Sequence, residues 1–154
     1  MIVVSNATPL IYLAKGNLLS ILPTLYTEVW IPPEIYDETV PKGVAKGYQD
    51  ALRIQQACAD WLKQRAPTIY LLAVLMQKQL PELEQLKIQL RRLHSGEIKI
   101  LALAIEMNAD RSIFDDRAAL EITEQLEKHF AFLAIGTGNV LDEARQQAII
   151  SEAE

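Results

Sequence analysis

The sequence predicts an α/β domain with a mostly parallel sheet covered by helices on both faces. Three observations lead there. Short β-rich runs alternate with helical stretches along the whole chain, and the helices between strands are long enough for right-handed crossovers. The third is size: 154 residues, half of them hydrophobic, suffice for one domain to bury a core without disulfides or metals.

Taken in order, Ile2 to Ser5 reads as a buried strand. Thr8-Pro9 then offers an N-cap and a helix-starting proline ahead of Leu10, Ile11 and Leu13. Asn17 can cap a second short helix through Leu22, ended by Pro23. Glu28 to Ile31 is a second strand stopped by Pro32-Pro33, and Pro33 to Thr39 a short helix. Residues 44–65 carry an inward stripe of Leu52, Ile54, Ala57, Cys58, Trp61 and Leu62 and are expected to form a helix. Thr68 to Leu72 is open between strand and helix, because a short apolar run has no diagnostic period. Pro81 to Leu93 is helical in spacing, and Ser95 precedes a largely buried helix over Ile98 to Met107. A strand (Ser112 to Phe114), a helix (Arg117 to Lys128), a strand (Phe130 to Ile135) and a helix (Thr137 to Ile150) complete the chain. Residues 41–93 are expected to be a helical insertion within a single domain spanning 1–154.

Composition narrows the function classes. The apolar runs Ile69 to Met76 and Ile100 to Ile105 fall far short of a membrane span, and no basic region followed by an apolar signal stretch opens the sequence. A cytoplasmic protein without a membrane partner is the expectation. Cys58 is the sole cysteine, so no internal disulfide can form. His94 and His129 lack a zinc-ligand pattern and read as surface or capping residues. Gly136-Thr137-Gly138 lacks the lysine or third glycine of a nucleotide loop, and no aspartate nucleophile follows the first strand. The net charge of −5 conceals an asymmetry. Residues 41–93 carry nine basic side chains against four acidic, a balance of +5, which leaves −10 for the remainder. Since screening confines charge effects to about 8 Å, a basic segment can attract phosphate while an acidic pocket elsewhere collects cations. The same pattern also fits solvated helix faces.

Ligands of open parallel sheets bind beyond the carboxyl ends of the strands. After the first strand come Ser5, Asn6 and Thr8; after Ser112 to Phe114 come Asp115 and Asp116. Either aspartate can instead cap the helix starting at Arg117, and Glu97 gains from a helix dipole whether or not it binds anything. Asp37 and Glu38 sit at a helix C-terminal end, where the dipole disfavours an acid, which points to a functional reason for at least one. Carboxylates from separate parts of the chain suit a hard divalent cation such as Mg²⁺ or Mn²⁺, which leaves positions open for substrate phosphate.

Five segments occur in a recognisable order: Ile2-Val3-Val4-Ser5-Asn6-Ala7-Thr8-Pro9-Leu10-Ile11, Ile31-Pro32-Pro33-Glu34-Ile35-Tyr36-Asp37-Glu38, Gly96-Glu97, Asp115-Asp116-Arg117-Ala118-Ala119 and Ile135-Gly136-Thr137. Over residues 1–40 and 94–148 the chain resembles PIN domains, most closely a prokaryotic VapC-like branch. The resemblance implies a three-layer sandwich and a Mg²⁺- or Mn²⁺-dependent ribonuclease acting on single-stranded RNA, as the toxin of a toxin–antitoxin pair. It implies Glu38, Glu97 and Asp116 as catalytic residues, Asn6, Glu97, Asp115 and Asp116 as metal ligands, and Thr8 in support. Arg117 pairs with Asp115 or Asp116, or is simply a helix-start arginine. Lys42, Lys46, Arg91 and Arg92 from the insertion would grip the RNA backbone. An antitoxin partner and a homodimer are further expectations. The resemblance has aspartate where this chain has Asn6, and an amide offers a metal a carbonyl oxygen but no full charge. The alternative is therefore a catalytically weakened fold that binds RNA or protein, with Tyr70, Leu72 and Leu75 as exposed apolar contacts.

Overall fold

A computed structural model describes residues 1–150. Among them, five strands form one all-parallel sheet in the order β3-β2-β1-β4-β5. These are β1 (Ile2–Ser5), β2 (Glu28–Ile31), β3 (Leu62–Gln64), β4 (Arg111–Ile113) and β5 (Leu133–Ile135). The predicted α/β sandwich with a parallel sheet flanked by helices is the architecture observed. In β1, successive residues Val3 and Val4 are both fully buried, as a strand covered on both faces requires.

Helices fill every connection. α1 (Ala7–Lys15) and α2 (Ile21–Leu25) join β1 to β2. α3 (Pro33–Thr39), α4 (Pro41–Ala45) and α5 (Gln49–Cys58) lead to β3. α6 (Leu71–Gln77), α7 (Leu83–Leu90) and α8 (Ser95–Glu106) return to β4, α9 (Arg117–Leu126) leads to β5, and α10 (Thr137–Gln146) follows it. The chain walks outward from β1 to β3 and then crosses back to β4, so right-handed crossovers place α1 and α5 on one face and α8 and α9 on the other. The packing agrees: α1 lies against α5 and α10, whereas α8 lies against β1 and β4. Ile100, Leu101 and Leu103 of α8 are fully buried in the core.

Several local expectations give way to others. Asn6, not Thr8, is the N-cap of α1, its Oδ1 accepting the Ala7 N–H at 2.9 Å. Pro9 therefore sits inside the first turn, where a missing N–H costs nothing. The same tolerance explains Pro23, which lies in the first turn of α2 rather than ending it. Asn17 does not cap α2; it adopts a left-handed conformation (φ 56°) just past α1, which asparagine tolerates. His94, not Ser95, is the residue preceding α8. Residues 44–65 do not form one helix: Gly47 (φ 76°) turns the chain between α4 and α5, and Leu62–Gln64 leaves the helix to pair with β2 as an edge strand. A three-residue strand cannot be seen by periodicity. Leu75 is buried, so it is unavailable as a surface contact, whereas Tyr70 and Leu72 are exposed. His129 meets Glu82, and Cys58, at the end of α5, is half-buried, with burial pushing its thiol pKa up. No helix among the described residues is long and apolar enough to cross a membrane.

Truncating the central helix tests this packing. Leu101→Ala is expected to cost about 2–5 kcal/mol in urea denaturation, while the exposed Ile88→Ala stays within about 0.5 kcal/mol of wild type.

Candidate metal and phosphodiester site

The strand order reverses between β1 and β4, and the crevice opens at the carboxyl ends of those two strands. Register fixes what meets there. Ser5 pairs with Ile113, and the Asn6 N–H continues the ladder to the Ile113 carbonyl at 2.9 Å. Asn6 and Asp116 thus follow neighbouring strands at the same edge of the sheet. A cavity of about 670 Å³ lies there, lined by residues of four helix ends: Asn6, Ala7 and Thr8 from α1, Glu34, Asp37 and Glu38 from α3, His94, Ser95, Gly96 and Glu97 from α8, and Asp116 from α9.

Each carboxylate is held differently. Glu97 is only 5% exposed; one oxygen, Oε1, accepts the His94 N–H at 3.0 Å, and the other, Oε2, is buried with no hydrogen-bond partner. Asp116 is the N-cap of α9, Oδ2 accepting the Ala119 N–H at 3.0 Å. Burial raises the Glu97 pKa above the ordinary glutamate value, the His94 N–H opposes this, and the adjacent Asp116 carboxylate raises it again. Glu38 is raised too, first by burial, with His94 opposing and Glu34 adding to the shift. The Glu38 carboxylate lies over the start of α8: a Cβ on Gly96 would come within 2.9 Å of Glu38 Oε1 and 3.1 Å of Ile35 Cδ1. A side chain at this position would displace the tips of Glu38 and Ile35 from their places.

The site residues named from sequence therefore divide. Asn6, Thr8, Glu38, Glu97 and Asp116 line one cavity. Asp115 lies beside it but is taken up elsewhere: its two oxygens accept the Thr137 N–H, at 2.8 Å, and the Thr137 hydroxyl, tying β4 to the start of α10. Arg117 is 92% exposed and pairs with Glu121 one turn along α9, at 3.4 Å, because residues four apart share one face of a helix. Lys42 and Lys46 line a groove that shares Glu38 with the acidic cavity. Arg91 lines a different, apolar groove with Leu71, Leu72 and Ile98, and Arg92 is exposed after α7. Sequence reading missed His94 as a wall of the cavity, although its place three residues before Glu97 was the available signal.

Among the described residues, no three His, Cys, Asp or Glu side chains gather closely enough to cage a metal ion by themselves. The close pair is Glu97 and Asp116, with the Asn6 amide buried nearby at 8% exposure. That oxygen-rich set fits a hard cation that keeps several waters and binds through one or two carboxylates plus substrate phosphate. The buried, unpartnered Oε2 of Glu97 is the observation that asks for one, since an unsatisfied buried acceptor is costly.

Because folding raises the pKa of Glu97 and Glu38, these two groups bind more protons in the folded chain than in the unfolded one above about pH 4.3. Their contribution is full below that value and is lost as pH rises through the folded pKa values. Urea melts in EDTA are therefore expected to show Glu97→Gln gaining stability relative to wild type as pH rises from about 4.3. Parallel curves would contradict the environment described.

Two comparisons bear on this geometry. A family model described as PIN domain matches residues 2–154, and a search of curated proteins finds no match. PIN domains generally use divalent metals, and the family points to nuclease chemistry and RNA binding. With a parallel sheet, an acidic crevice at its switch point and a match over nearly its whole length, the chain belongs to the PIN-domain family.

Proposed function

We propose that the chain is a Mg²⁺- or Mn²⁺-dependent ribonuclease that cleaves single-stranded RNA, the VapC-like toxin of a type II toxin–antitoxin pair. The observation that carries the reading is the Glu97–Asp116 pair, two adjacent carboxylates with one buried oxygen left unpartnered. Glu97 and Asp116 would hold a divalent cation there, and that cation would make a bound water more acidic and neutralise charge on the phosphate.

The chain's own residues do the positioning. Glu97 and Asp116 would hold the cation, with the Asn6 carbonyl oxygen, whose second lone pair remains after the bond to Ala7, as a neutral ligand. The N-terminal turns of α1 and α8, at Ala7, Thr8, Ser95 and Gly96, contribute partial positive charge to the same cavity and favour a phosphate in it. Glu38, its pKa raised first by burial, lines the same cavity as a carboxyl group able to hold or release a proton there. Lys42 and Lys46 lie beyond Glu38, where a bound strand leaves the cavity.

A second reading, an RNA- or protein-binding module with weakened catalysis, is favoured by Asn6 standing at a position the resemblance fills with aspartate. One assay separates the two: cleavage of single-stranded RNA with Mn²⁺. On the ribonuclease reading the wild type cleaves, while Glu97→Gln and Asp116→Asn each lose roughly 100-fold or more in rate. Asparagine caps helices as well as aspartate, so Asp116→Asn removes charge and keeps the fold. Asn6→Asp is expected to raise cleavage at limiting metal. Absence of cleavage by both wild type and Asn6→Asp favours the binding module.

A further inference from the structure

The groove beside the acidic cavity holds more than the two lysines already named, Lys15 and Tyr48 among them. It encloses about 530 Å³ and is lined by Ile11, Lys15, Glu38, Thr39, Lys42, Gly43, Lys46, Tyr48 and Asp50. Two helices run from one pocket into the other. α1 contributes Thr8 to the acidic cavity and Ile11 and Lys15 to the groove, a spacing of three and four residues that keeps them on one face. α3 contributes Glu38 to both. The two cavities therefore adjoin at Glu38, and the nine residues of α1 give their common wall a length of about 13 Å.

Its chemistry changes along that length, from carboxylates to three lysines set among Glu38 and Asp50. Lys15, Lys42 and Lys46 form no ion pair with a carboxylate of the described residues, whereas Lys63 and Lys87 elsewhere do. The far end carries an aromatic ring. Tyr48 is 52% exposed, with the Lys46 ammonium 5.9 Å from its ring centre. Its place is set by the backbone: Gly47 adopts φ 76°, and the Tyr48 N–H returns to the Gly43 carbonyl at 2.8 Å. A Cβ at Gly43 would come within 2.5 Å of the Ala51 Cβ, so α4 is held hard against α5 behind the ring. An exposed ring on a fixed turn, beside three cations without carboxylate partners, matches what single-stranded nucleic acid presents, a base to stack and a phosphate to neutralise.

We propose that this groove is the subsite for the RNA segment flanking the scissile phosphate, with Lys15, Lys42 and Lys46 on its backbone and a base stacked on Tyr48. The proposal rests on the ribonuclease reading and deepens it. A strand crossing Glu38 from the acidic cavity enters the groove without leaving the surface.

The test uses the full chain and a short labelled single-stranded RNA, with binding measured by fluorescence anisotropy in EDTA and cleavage measured with Mn²⁺. Lys42→Ala/Lys46→Ala is expected to weaken binding roughly tenfold and to lower the slope of log K against log salt by about 1.4. Tyr48→Ala is expected to lose roughly tenfold, and Tyr48→Phe to restore most of it, since stacking needs the ring and not the hydroxyl. In cleavage these losses fall in KM rather than kcat. Wild-type cleavage with unchanged binding, KM and salt slope in the variants overturns the subsite and leaves the ribonuclease reading intact. If the wild type neither binds nor cleaves RNA, that reading fails and the groove's occupant with it; capture of a peptide instead would likewise overturn the proposal.

Discussion

Two carboxylates held side by side, one of them buried, are the constraint around which this crevice is organised. Glu97 is driven into the protein by the packing of α8, and Asp116 is brought to it by the end of β4. Glu97 is anchored by the His94 N–H and Asp116 by the Ala119 N–H, each through one oxygen, so the remaining oxygens stay in the site. Like charges this close favour a proton or a metal ion between them, which is why burial and Asp116 both act to raise the Glu97 pKa.

The same hydrogen bonds that start the helices also aim the site. Asn6 begins α1, Asp116 begins α9, and Glu97 reaches back to the residue before α8. Functional side chains at helix starts are fixed by backbone N–H groups that need acceptors in any case, so positioning requires little extra structure. Asp115 and Thr137 extend this to α10, and a Cβ at Gly136 would come within 3.0 Å of Asp115 Oδ1, so the neighbouring aspartate is fixed in a structural tie. Two adjacent acids in the sequence thus hold different posts.

What was legible in the sequence follows from what is local. β1, β2, α3 and the succession from α8 to α10 carry strong apolar runs and cap residues, and the strand-end rule placed Asn6 and Asp116 at the sheet's carboxyl edge. β3 was not legible, because Leu62 continues the apolar spacing of α5 and the three residues become a strand only by pairing with β2. Arg117 was drawn toward the aspartates by adjacency in sequence, while helical geometry sends it to Glu121. Lys15 lies outside the basic segment of 41–93 and joins Lys42 and Lys46 only because α1 packs along α3. Arg91 belongs to that segment and faces a different groove. Charge counted along a chain says how many lysines there are, and only the fold says which of them share a wall.

The most direct measurement of the central claim is calorimetric titration of Mn²⁺ into the metal-free protein in two buffers of different ionisation enthalpy. If the Glu97–Asp116 pair is the cation site, Mn²⁺ binds with release of protons near the raised glutamate pKa, and Glu97→Gln/Asp116→Asn abolishes both the heat and the proton release. Binding that survives in the double variant, or no binding to the wild type at millimolar metal, would contradict the account.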